Sequence, residues 1–269
     1  MRLGVTMFAT DLAMPVQELA RAAEERGFSS LYVPEHTHIP VARRTPYPGG
    51  TSLPEEYKRT LDPLVALSFA AAATSSLRVG TGILLAAQRD PIVTAKALAT
   101  LDLLSGGRLV VGVGFGWNVE EIEHHGVPYG RRREVARRNV LAMQALWRDE
   151  VASFEGFAPS WSWPKPVAVP PVYLGGAAGP KLFAQVAEYA EGWMPIGGRG
   201  IKDALPALRE ACEKAERPMA KVIPFGTLPT REKLDYYASL GITETVANLP
   251  SGPADVVLPI LDQYAGLLP

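Results

Sequence analysis

The sequence predicts a (β/α)₈ TIM barrel, eight parallel strands ringed by eight helices, with residues 1–269 forming a single domain. Three observations lead there. Short β-branched runs alternate with amphipathic helical stretches along the whole chain, and the alternation recurs eight times. The length, 269 residues, is close to the roughly 250 typical of that fold. A doubly wound open sheet also alternates, but it uses fewer strands per domain, and no break in composition divides this chain.

The first unit is a strand at 2–8 and a helix at 15–26. In that helix Val16, Leu19, Ala20 and Ala23 fall on one apolar face, and Gly27 ends it. The second unit pairs a strand at 29–34 with a helix at 61–75. The third pairs 78–85 with a helix at 92–104 opened by Pro91. The fourth runs from a strand at 108–114 to a helix at 131–148, and the fifth from 171–175 to 179–190. The sixth joins 193–196 to 202–215, and the seventh joins 220–225 to 230–240, bounded by Thr230 and Gly241. The eighth joins 243–248 to 253–266, where Pro259 predicts a kink or an earlier stop.

Two segments exceed ordinary connections. Residues 35–60 follow the second strand, so in a barrel they lie on the catalytic face, as a lid or pocket wall. The Pro/Trp-rich insertion at 150–170, between the fourth helix and fifth strand, lies on the opposite face, where Trp161 and Trp163 read as structural.

Lysine and arginine number 27 against 28 aspartates and glutamates, so no charge excess attracts nucleic acid or an anionic membrane. The one cysteine, Cys212, excludes an intramolecular disulfide and a Cys-ligated zinc site. No apolar run is long enough to span a bilayer, and the N-terminus lacks the pattern of a signal peptide, so a cytoplasmic location is expected.

In this fold the reactive groups sit at strand C-termini. Here those ends are Met7-Phe8, Glu35-His36, Gly82-Ile83, Gly114 to Trp117, Gly175-Gly176, Ile196 to Gly198, Phe225-Gly226 and Asn248. They supply no Ser-His-Asp set and no pair of facing carboxylates. A mouth so rich in glycine and apolar groups suits a large planar cofactor that brings its own chemistry. Gly80, Gly82, Gly112 and Gly114, inside strands, mark close approach of a ligand or of packed neighbours. The clusters at 175–179 and 197–200 open helices and offer N–H groups to a phosphate, with Arg199 adding charge. His36 and His38 form an H-x-H pair that would suit a metal-dependent hydrolase barrel. The other two histidines, His124 and His125, adjoin each other in one connection, and strands five and six add none. No metal is therefore expected. His36 reads as a hydrogen-bonding or proton-transferring group beside a cofactor, and His38 as a solvated loop residue.

The chain resembles the luciferase-like superfamily of flavin- and deazaflavin-dependent oxidoreductases, most of all the branch that uses coenzyme F420. The matching stretches are Leu31 to His36, Arg78 to Ile83, Gly106 to Leu109, Gly112 to Glu121, Pro170 to Gly176 and Ala190 to Pro195. They cover most of the chain in the expected order. The resemblance implies a cofactor ring at the barrel mouth, with His36 near its reactive carbon. It also implies a bulge with a non-prolyl cis peptide at Gly82-Ile83 behind the ring. Phe115, Gly116, Gly175, Gly176 and Gly179 would line the cofactor's side chain and phosphate. Met7, Phe8, Thr81, Gly82, Ile83, Gly114, Trp117, Gly197 and Gly198 complete the expected binding set with His36. Trp117 stands where some relatives carry a proton-donating glutamate, so the proton role falls to His36, with Glu120 second. The implied activity is hydride transfer between F420 and a small organic substrate. An FMN-dependent monooxygenase using reduced flavin and oxygen is the alternative, and a non-catalytic ligand-binding barrel is a further one. A homodimer through barrel helices is expected.

Overall fold

The computed structural model describes residues 1–50 and 52–268. Its strands are β1 (Arg2–Thr6), β2 (Ser30–Val33), β3 (Arg78–Leu84), β4 (Leu109–Val113), β5 (Ala152–Phe154), β6 (Phe157–Ser160), β7 (Val172–Gly175), β8 (Gly192–Met194), β9 (Lys221–Val222) and β10 (Glu244–Asn248). Eight form one parallel sheet in the order β10-β1-β2-β3-β4-β7-β8-β9. Beyond β9 a parallel bridge between Thr227 and Ala247, and the Val246 amide donating to the Pro224 carbonyl at 2.9 Å, bring the ends of the sheet together. The result is the expected (β/α)₈ barrel.

The helices are α1 (Val16–Glu25), α2 (Pro63–Ala72), α3 (Pro91–Ser105), α4 (Val119–His124), α5 (Arg132–Arg148), α6 (Pro180–Tyr189), α7 (Ile201–Lys214), α8 (Arg231–Ser239) and α9 (Ala254–Ala265). Local chemistry explains several boundaries. Asp62 accepts from the Leu64 and Val65 amides at 2.9 and 3.1 Å, with Pro63 as the first helical residue of α2. Asp90 and Pro91 repeat the device at α3, which ends on Gly106 at φ 72°. Thr230 caps α8.

Four expectations need correction. The insertion at 150–170 contains an antiparallel hairpin, β5–β6, turning at Gly156 with φ 82°. The connection after β4 contains the short helix α4. The sixth and seventh strands are shorter than expected, because Pro195 and Pro224 have no amide to donate to a ladder. Pro259 does not shorten α9, which runs from Ala254 to Ala265 with the proline inside it.

Strand alternation divides the core. Leu31 and Val33 pack outward under the helices, while Tyr32, Val110, Tyr173, Met194, Ile223 and Val246 form a second cluster inside the ring. Gly80 makes room for it: a Cβ there would lie 2.4 Å from the Tyr32 ring. That glycine therefore serves barrel packing. At the N-terminal end, Glu244, 3% exposed, is held by Arg2 at 3.1 Å and by Arg78. No helix among the described residues is long and apolar enough to cross a membrane.

Candidate active site

All eight barrel strands end on one cavity of about 600 Å³. Thr6 and Phe8 come from β1, Pro34 to His36 from β2, and Gly82-Ile83 from β3. Gly114 to Trp117 follow β4, and Gly175-Gly176 end β7. Met194, Ile196, Phe225, Gly226 and Asn248 complete the ring, with Tyr57 from the long loop and Arg132 and Arg133 from the start of α5. A wider groove, about 800 Å³, separates α6 from α7, but it is lined largely by alanines and holds no histidine.

The peptide Gly82-Ile83 is cis, and the pairing of β3 with β4 shifts register between Thr81 and Leu84. The Ile83 side chain lies across two glycines. A Cβ on Gly114 would fall 2.0 Å from Ile83 Cδ1, and one on Gly175 would fall 3.1 Å from Ile83 Cγ2. Only glycine lets this apolar surface lie flat across the barrel floor.

His36 projects into the cavity from the chain after β2. Its Nδ1 donates to Glu121 Oε2 at 2.8 Å, and the Thr37 amide donates to the other carboxylate oxygen at 3.2 Å. Glu121 is 1% exposed. In the tautomer that carries its hydrogen on Nδ1, the ring's lone pair is at Nε2. The ring sits 5.2 Å from that of Tyr57 and 5.9 Å from that of Trp117. The preceding acid, Glu35, is turned away from this chemistry. Burial pushes its carboxyl up, opposed by Arg89, which donates to it at 2.6 Å, and by the Leu85 amide.

Arg132 and Arg133 share the cavity wall without a carboxylate within 4.0 Å among the described residues. Arg133 lies 4.1 Å over the Phe115 ring and Arg132 lies 3.6 Å over Tyr129. The Arg132 Nε is buried with no partner. Desolvation, and then the neighbouring Arg132 charge, pull the Arg133 guanidinium below its ordinary value. Two adjacent cations, one with a buried orphan donor, form a subsite that an anion would satisfy.

The structure brings together Phe8, His36, Gly82, Ile83, Gly114, Phe115, Gly116, Trp117, Gly175 and Gly176 from the expected set. It leaves out six others. Met7 is buried in the outer core, and Thr81 is buried with its hydroxyl donating to the Gly112 carbonyl. Gly179 opens α6 beside the α6–α7 groove, Gly198 packs under Tyr237, and Gly197 is likewise off the cavity wall. Glu120 turns to the long loop, accepting from the Thr45 hydroxyl at 2.6 Å and the Arg44 amide at 2.7 Å. Those two donors hold its carboxyl down to about 2, so it stands as a loop anchor with no proton to give at neutral pH.

The H-x-H pair is split. His38 Nε2 shares a hydrogen bond with His124 Nδ1 at 2.9 Å, and His125 Nε2 meets the Thr37 hydroxyl at 2.8 Å, while His36 alone joins Glu121. His38 is thus bound to α4 rather than free in solvent. Among the described residues no three His, Cys, Asp or Glu side chains are arranged to hold a metal.

Sequence reasoning missed Glu121, Arg132 and Arg133 as site residues. One signal for the arginines was present: Arg131 to Arg133 crowd a helix N-terminus, where the helix dipole disfavours cations.

A family model described as luciferase-like monooxygenase matches residues 10–233. The chain is 42% identical over 278 residues to an uncharacterised protein of Mycobacterium tuberculosis, covering 100% of this chain and 99% of that one. It is 28% identical over 243 residues to an F420-dependent glucose-6-phosphate dehydrogenase of Kineococcus radiotolerans, covering 82% of this chain and 65% of that enzyme. The crystal structure of monooxygenase RslO1 from Streptomyces bottropensis shares the fold, with a TM-score of 0.80 at 19% identity over 100% of this chain and 98% of that one.

Proposed function

The chain belongs to the luciferase-like monooxygenase family, and we propose that it is an oxidoreductase that uses coenzyme F420 to transfer hydride to or from a small organic substrate. The observation that carries this reading is the cavity itself. One wall is the flat Ile83 surface over Gly114 and Gly175, suited to a planar ring. Another wall is the Arg132–Arg133 pair, suited to the phosphate of that ring's side chain. On the same cavity His36 offers a nitrogen oriented by a buried carboxylate.

Bound there, a deazaflavin supplies a ring carbon that exchanges two electrons as hydride. Ile83, Gly114, Gly175 and Gly176 would seat the ring, and Arg132 and Arg133 would hold its phosphate. His36 Nε2 would take the proton from a substrate hydroxyl during oxidation, or return it during reduction. Glu121 would keep the imidazole in the right tautomer and orientation, the part a buried carboxylate commonly plays behind a histidine. The similarity to an F420-dependent dehydrogenase supports the choice of deazaflavin over flavin.

The same reading includes a homodimer. The outer faces of the adjoining helices α2 and α3 carry Val65, Phe69, Val93 and Leu104, each at least 60% exposed. Apolar side chains concentrated on neighbouring helices favour a covered surface.

Titration with oxidised F420 and with FMN tests the proposal. Saturable F420 binding tighter than FMN binding is expected. Tighter FMN binding with oxygen consumption would replace it by the monooxygenase reading, and binding of neither would end both.

A further inference from the structure

Resting on the oxidoreductase reading, we infer that the substrate is an uncharged, largely apolar alcohol or ketone, and not a sugar phosphate or other anion. The substrate end of the cavity, around His36, is an aromatic enclosure. Phe8 and Tyr57 lie 4.7 Å apart by ring centroid, Tyr47 and Tyr57 5.1 Å, and Tyr47 and Trp117 5.8 Å. His36 packs into the same group. The two tyrosine hydroxyls meet each other at 3.2 Å, so one donates to the other, and Tyr57 lines the cavity. Burial, and then the Tyr47 bond, push the Tyr57 phenol above its ordinary value, so it stays neutral.

Charge points the same way. Among the described residues, no arginine or lysine other than Arg132 and Arg133 lines the cavity. Arg89 is taken by Glu35 and Asp62. Arg43 donates to the Thr45 carbonyl at 2.7 Å and lies 5.9 Å from the Trp117 ring. The Arg44 side chain is 96% exposed. Arg132 and Arg133 belong to the wall assigned to the cofactor's phosphate. Apart from Arg132 and Arg133, the polar side-chain groups that line the cavity and make no hydrogen bond among the described residues are His36 Nε2, the Trp117 indole N–H and the Asn248 amide. So few groups suffice to orient one oxygen, and the remaining surface favours carbon.

The step balances on that oxygen. On oxidation the carbinol C–H bond breaks, and its hydrogen leaves with the electron pair to the oxidised deazaflavin. The O–H proton passes to His36 Nε2, and the C–O bond becomes C=O. The substrate loses two electrons and the deazaflavin gains them.

The test uses cyclohexanone and benzyl alcohol as neutral probes and glucose 6-phosphate as the anionic one, each titrated by calorimetry into protein preloaded with F420. At least one neutral probe is expected to bind and glucose 6-phosphate to bind at least about tenfold more weakly. Tyr57→Ala should weaken the neutral probe about tenfold by removing an aromatic contact, and Tyr57→Phe should restore it. F420 affinity of both variants reports that they are folded. Preference for glucose 6-phosphate, no binding of either neutral probe, or unchanged binding in Tyr57→Ala overturns the substrate assignment. Failure of F420 to load overturns the cofactor reading instead, so the two outcomes are distinct.

Discussion

Glu121 Oε2 accepts a hydrogen bond from His36 Nδ1 at 2.8 Å across 85 residues of sequence, with the carboxylate 1% exposed. The pair joins the chain after β2 to α4, and the Thr37 amide fixes the second carboxylate oxygen. A polar group so fully buried is kept in place by its hydrogen-bond partners.

If that pair sets the proton-transfer geometry, Glu121→Gln should lower kcat by about 10²-fold while leaving KM and F420 affinity within about twofold. Glu121→Asp should recover part of the loss. His36→Ala should lose about 10²- to 10⁴-fold and still bind F420. Steady-state kinetics beside a fluorescence titration reads both quantities, and near-normal turnover of His36→Ala removes it from the mechanism.

Arg133→Ala should weaken F420 binding about 10- to 100-fold, the worth of a charge-assisted hydrogen bond to a phosphate. Raising salt should shrink the difference between the variant and the parent. An unchanged dissociation constant would take the arginine pair out of the cofactor site.

Glu24 governs acid stability at the start of β3. Burial opposes its ionisation, but the Ser76 and Leu77 amides, the Ser76 hydroxyl and the Ser75 amide prevail and bring its carboxyl from the ordinary 4.5 to about 2. As pH falls the unfolded chain takes the proton first. The stabilisation is therefore complete above about 4.5 and gone once pH has fallen through about 2. Glu24→Gln should be less stable than the parent at pH 7 by about 0.5–1 kcal/mol, a figure already reduced for the exposure of the group. Urea midpoints of the two should converge by pH 2; a gap that stays constant contradicts the assignment.

At the same end of the barrel, Arg78→Met leaves Glu244, 3% exposed, with Arg2 and Ser30 as its remaining partners. Unfolding free energy should fall by about 3 kcal/mol. Denaturant melts check this, and a loss under about 1 kcal/mol would show that Arg2 alone satisfies the carboxylate.

Phe69→Glu, on the outer face of α2, should shift the sedimentation coefficient from that of a dimer to that of a monomer, with the circular dichroism spectrum unchanged. A parent that sediments as a monomer ends the dimer proposal.

Much of the architecture is legible from local chemistry. Asp62-Pro63 and Asp90-Pro91 announce their helices because a carboxylate caps the first turn and a proline needs no amide partner there. The strand glycines at Gly82 and Gly114, and His36 at a strand end, point to the mouth because topology alone sends every strand C-terminus to one face. The hairpin at 150–170 escapes this reading because its two strands are only three and four residues long, too short for alternation to register.

Sequence by itself determined the barrel, the face on which the strand ends gather and the histidine that lies there. Each follows from periodicity, caps and chain order, which act over a few residues. Tertiary structure decided which of two adjacent glutamates meets that histidine and which loop aromatics enclose it. It also decided that two arginines stand uncompensated at the mouth. Neighbouring side chains on a helix diverge by roughly 100°. Whether Glu120 or Glu121 faces inward therefore depends on the rotation at which α4 docks, and packing against distant strands and the long loop sets that rotation.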